Sequence, residues 1–153
     1  MASLNNVIDS IQTFLAKIPS PFKSYIIPVE SMKEQMQGID STKLRKVQIS
    51  RPGVMGTWIP LSYFANPIKV IKCWDPKKDV SHELINGPSI ETRITMTNSK
   101  RTAFYFDSLY IDGNNLVGSS SRIISSHSRK IPFEEIKKVE VQNSRKLYRI
   151  ISY

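Results

Sequence analysis

Gly118-Ser119-Ser120-Ser121-Arg122 carries the groups from which phosphate sites are built: a small residue, three hydroxyls and a guanidinium. A phosphate cradle normally joins a strand to a helix, whose first-turn amides and dipole hold the anion. Here the chain goes on through Ile123 and Ile124 with β-branched residues and no helical periodicity. Just upstream, Asp112, Gly113, Asn114 and Asn115 are turn formers that tolerate positive φ. Tyr110 to Gly118 therefore reads as a hairpin tip whose return strand begins at Leu116 and Val117. The serines are then strand or loop surface, and no cofactor is expected.

Nucleophilic and metal chemistry find little more support. Cys73 in IKCW alternates with apolar neighbours and reads as a buried strand thiol, and nothing in the spacing makes His82 its base. His127 falls in a polar, basic stretch, and no His-x-x-x-His spacing offers a catalytic zinc site. Glu134 and Glu135 are adjacent, so they point to different sides of any regular element and make a poor acid and base pair. One cysteine excludes an intramolecular disulfide and a four-thiolate zinc site within the chain. The expectation is a protein that is not an enzyme and holds no metal.

Charge is in greater supply. Against 13 Asp and Glu stand 22 Lys and Arg, a formal net charge of +9, which draws acidic partners at low salt. Arg122, Arg129, Lys130, Lys137, Lys138, Arg145, Lys146 and Arg149 crowd the last third of the chain, with Tyr105, Tyr110 and Tyr148 as stacking surfaces. These are the candidate contacts to an anion or a nucleic acid. The sequence carries no RNP-like or helix-turn-helix signature, and a solvated surface accounts for the same charges.

What must position these residues is one compact domain, since 153 residues with 40% hydrophobic content suffice for a core. Residues 3–18 read as an amphipathic helix: Leu4, Val7, Ile8, Ile11, Phe14, Leu15 and Ile18 recur at helical spacing, Ser3 can cap the start, and Pro19 and Pro21 oppose continuation. Polar residues interrupt it too often for a signal peptide, and its polar face has too few cations for a surface-lying membrane helix. No segment has the length and apolarity of a transmembrane span. Residues 19–42 read as a Pro-bounded connector with a short helix around Ser31 to Gln37, its Met32 and Met36 spaced for packing.

From residue 43 to 153 short apolar alternations separated by Gly, Pro, Asn and Asp predict an antiparallel β domain. Expected strands are Lys46 to Ser50, Met55 to Leu61, Lys69 to Trp74, Ile90 to Thr97, Thr102 to Ile111, Leu116 to Arg122, Lys137 to Gln142 and Leu147 to Tyr153. Phe104 and Phe106 share one parity and Leu109 and Ile111 the other, which predicts a β-bulge at Asp107 and Ser108. The fold class is α+β, mostly β: the N-terminal helix (1–18) packed on a small, barrel-like antiparallel sheet.

IETRIT, FYFDSLYIDGNNLVGSSSR and KIPFEEIKKVEVQ, followed by the basic SRK, make Ser89 to Lys146 similar to small β-rich envelope proteins of Bacteroidetes bacteria, which are often lipoproteins. In those proteins a hairpin leads into an IPxxxIxxIEV segment, which implies a strand, a tight turn and a final strand. Ile131, Pro132, Phe133, Ile136, Val139 and Val141 match it. A lipid-acceptor cysteine behind an apolar signal is absent from this sequence. The resemblance thus implies an envelope location if an export signal has been removed, and a cytoplasmic one otherwise. The functional expectation is a non-enzymatic interaction or structural module with a protein or acidic-polymer partner. The alternative is a small β-barrel that binds nucleic acid through its C-terminal basic residues.

Overall fold

Pro28, held at φ −55°, turns the chain from strand β1 (Ser24–Ile27) straight into helix α1 (Val29–Met36), which buries Met32 and Met36. The structure, a computed structural model, describes residues 23–123 and 127–152; the expected helix over residues 3–18 lies outside them. Among the described residues after α1, the regular elements are β-strands, apart from single 3₁₀ turns. The strands are β2 (Arg45–Pro52), β3 (Trp58–Ala65), β4 (Val70–Asp75), β5 (Val80–Ile85), β6 (Ile90–Met96) and β7 (Arg101–Tyr105). They continue as β8 (Tyr110–Asp112), β9 (Asn115–Ser119), β10 (Ser128–Pro132), β11 (Ile136–Asn143) and β12 (Arg149–Ser152).

Antiparallel pairing sorts the described strands into three sheets, in the orders β5-β4-β1-β11-β6-β7, β10-β9-β8 and β12-β2-β3. The expected small barrel is not formed. A barrel needs each strand paired on both sides with one consistent stagger. Here the largest sheet ends at β5 and β7, and the chain starts two further sheets instead of closing it. The stretch expected as connector supplies β1, which pairs with β11 on one side and with β4 on the other. Where β1 leaves β4, the side-chain amide of Gln35 takes over as a peptide would: Nε2 donates to the Lys72 carbonyl at 2.9 Å, and the Lys72 amide donates to Oε1 at 2.9 Å.

The core follows from period-two alternation. Ile71 and Cys73 on β4, Ile90 and Ile94 on β6, and Val139 and Val141 on β11 point to one side of the largest sheet, where α1 and the β10-β9-β8 sheet cover them. The parity slip at Asp107 is real, but a 3₁₀ turn over Phe106–Ser108 makes it, not a β-bulge, and it buries both Phe106 and Leu109. Gly118 has a packing reason: a Cβ there would lie 2.7 Å from the side chains of both Leu109 and Phe104. Val47, Ile49, Tyr63 and Ala65 form a second, smaller core on one face of the β12-β2-β3 sheet.

Candidate functional site

Arg122 folds back under the three-stranded sheet, its side chain only 7% exposed. Nη1 donates to Asp107 Oδ1 at 2.8 Å and Nη2 to the Pro88 carbonyl at 2.8 Å. The guanidinium lies between the rings of Tyr63 and Tyr105, 3.9 Å from each centroid. Tyr63 completes the group by donating its hydroxyl to Asp107 Oδ2 at 2.9 Å. Burial pushes the Asp107 carboxyl up, against the opposing pull of Arg122 and of the Tyr63 hydroxyl. Burial also drives the Tyr63 hydroxyl far above its ordinary value, with the Asp107 charge adding to it. Arg122 therefore binds two parts of the fold together. Expected from the sequence as a contact to an anion or a nucleic acid, Arg122 instead has its charge taken up inside the fold by Asp107.

The serines before it are equally occupied. Ser121 donates its amide to Ser119 Oγ at 3.2 Å, and Ser119 Oγ donates to the Ser121 carbonyl. Ser119 also donates its amide to Ser108 Oγ at 2.9 Å. GSSSR is thus a strand end and a turn, with its arginine as an internal tie.

Of the other expected anion contacts, the structure brings only Lys146 to this place. Its ammonium is 5.3 Å from the Tyr105 ring and 3.1 Å from Glu91 Oε1. Lys130 pairs with Asp112 at 2.5 Å on the β10-β9-β8 sheet, where Arg129 is exposed beside it. Lys137 and Lys138 sit at a register shift on β11, with Lys138 3.8 Å from Glu140. Arg145 lies in the link to β12 at φ 54°, its amide accepted by Asn143 Oδ1 at 2.8 Å. Arg149 lies flat on Trp58, 3.7 Å from the ring centroid. These residues do not converge on one stripe. Cys73 is buried, its thiol pushed up to about 11 chiefly by desolvation, and it donates to the His82 carbonyl at 3.4 Å while the imidazole stacks on Tyr25. Among the described residues no group of three or more His, Cys, Asp or Glu is placed to hold a metal.

A different surface does gather charge. No carboxylate occurs between Asp40 and Asp75, nor after Glu140, and these two intervals supply all three strands of the β12-β2-β3 sheet. Register puts Lys46 opposite Phe64, Gln48 opposite Ser62, Pro52 opposite Trp58, and Arg149 opposite Ser50. Directly opposed residues share a face, so one side of this sheet interleaves the cations Lys46 and Arg149 with Phe64 and Trp58 and with small polar groups. Phe64 is 63% exposed. Two clefts flank the buried arginine: one of about 260 Å³ lined by Lys46, Tyr63, Phe64 and Tyr105, and one of about 510 Å³ lined by Arg51, Tyr105, Lys146 and Tyr148. Neither has a carboxylate among its described lining residues.

Sequence reasoning weighted the C-terminal cations by their number and so missed Lys46, Arg51, Trp58 and Phe64. The signal that finds them is the interval without acids, because a cation with no nearby carboxylate keeps its field for a partner. No protein-family model matches this chain, and no match was found among curated proteins or among solved structures.

Proposed function

We propose that this chain is a non-enzymatic interaction module that docks an anionic partner on its β12-β2-β3 sheet. The observation that carries the reading is the composition of that sheet: Lys46 and Arg149 on one face, Arg45 and Arg51 at the other parity near the ends of β2, and not one carboxylate in its strands. Among the C-terminal cations outside that sheet, Lys130, Lys138 and Lys146 are each paired, with Asp112, Glu140 and Glu91. An envelope setting, as the resemblance implies, belongs to the same proposal, because anionic polymers and surfaces abound there. Among the described residues no helix is long and apolar enough to cross a membrane. Single-stranded nucleic acid is the second reading, favoured by Phe64 lying exposed beside Lys46, since a base stacks on an aromatic face while a cation meets the phosphate.

Heparin and single-stranded RNA, titrated at low and at physiological salt, test the reading. Binding should weaken steeply with salt, as counterion release requires. Lys46→Glu with Arg51→Glu should abolish it, whereas Lys137→Glu with Lys138→Glu, on another sheet, should leave it nearly intact. Absence of binding to both polymers at low salt, where attraction is strongest, rejects the proposal. Equal loss from the two pairs of substitutions places the site elsewhere.

A further inference from the structure

The β2–β3 hairpin ends in Gly53-Val54-Met55-Gly56, four residues with no polar side chain. Val54 is 79% exposed and Met55 98%. Two neighbouring large apolar side chains left largely in water cost a monomer free energy, and they sit in a tight turn in which Met55 has φ 55° and Gly56 φ 74°. Hydrogen bonds close the base of the turn. Gly53 donates its amide to the Thr57 carbonyl at 2.8 Å, while the Thr57 amide and hydroxyl donate to the Val54 carbonyl at 3.1 and 2.6 Å.

We propose that this tip enters the hydrocarbon of an anionic lipid surface, anchoring the docked sheet; the inference rests on the reading of that sheet as an anion-docking face. Three features select lipid. A nucleic acid offers phosphate oxygens and base edges, for which Val54 and Met55 have no donor, whereas hydrocarbon takes both side chains without leaving a polar group unpaired. Trp58, at the root of the tip, carries Arg149 on its ring at 3.7 Å, an aromatic and a cation suited to the headgroup layer. Arg51, at the base of the hairpin and exposed, meets the same layer with no acid in its strand pair to repel anionic headgroups. The tip alone is too small to hold a protein on a bilayer; with the cations it supplies the second of the two signals that stable attachment needs.

Co-sedimentation of the full chain with vesicles of equimolar phosphatidylcholine and phosphatidylglycerol tests this. Wild type should partition into them and only weakly into pure phosphatidylcholine. Val54→Ser with Met55→Ser should lower the partition coefficient roughly tenfold or more. The same substitutions should leave the melting temperature and salt-sensitive heparin binding nearly unchanged, because both side chains are exposed. Lys46→Glu with Arg51→Glu should lose vesicles and heparin together. A serine tip that partitions like wild type overturns the inference and leaves the anionic-docking reading standing. So does a wild type that ignores vesicles yet binds heparin or single-stranded RNA. A wild type that binds none of the three overturns both.

Discussion

Asp107 is the residue on which the internal electrostatics turn. Its carboxylate is 4% exposed and takes hydrogen bonds from Arg122 and Tyr63. Such a pair adds little net stability when intact, but removing one partner strands the other charge, which costs about 3–5 kcal/mol. Arg122→Met should therefore destabilise the fold by that order in urea denaturation. Arg122→Met combined with Asp107→Asn should cost less than Arg122→Met alone, because neither charge is then left buried. Additive losses would mean that the two residues do not act as a pair. Sequence carried only the break in alternation at Asp107, through the parity slip between Phe106 and Leu109. The identity of the partner was not legible, since Arg122 lies fifteen residues on and is joined to Asp107 only by the fold.

At the scale of elements, alternation located β2, β4, β6 and β11 to within a residue or two because each has one buried face. It missed β1, β5 and β10. Ser24–Ile27 is four residues between prolines, Val80–Ile85 carries His82 at an inward position, and Ser128–Pro132 is polar until Ile131 and is held to β9 by its backbone. Closure into a barrel was not readable either, since period two reports which face is buried and says nothing of which strand lies alongside. Gly118 shows an element constrained from both sides. Its lack of a side chain lets β9 lie against Phe104 and Leu109, so Gly118→Ala must push two buried side chains aside. Overpacking of this kind costs about 1–3 kcal/mol. Thermal unfolding of the alanine variant should show a clear drop in melting temperature; an unchanged value would mean that the Phe104 and Leu109 rotamers yield freely.

The molecule as a whole is divided in charge and in packing along the same line. The sheet without acids also has the small core, Val47, Ile49, Tyr63 and Ala65, while the larger cluster spans the six-stranded sheet, α1 and the β10-β9-β8 sheet. Its attachment includes the tie from Tyr63 to Asp107 and Arg122, together with the Asn66 side chain, which donates to the Phe106 and Leu109 carbonyls at 2.9 Å each. Opening free energy follows the buried apolar contacts that must be broken, so β2, β3 and β12 should open at a lower cost than β6 and β11. Native-state hydrogen exchange should accordingly find amides of Val47, Ile49 and Tyr63 exchanging through a partial opening, and those of Ile94, Val139 and Val141 only through global unfolding. Arg122→Met, by cutting the tie, should widen that gap, lowering protection in the three-stranded sheet by more than in the six-stranded one. Equal protection in the two sheets, or an equal loss in the variant, would show that the molecule unfolds as a single unit and that the β12-β2-β3 sheet is as rigid as the core.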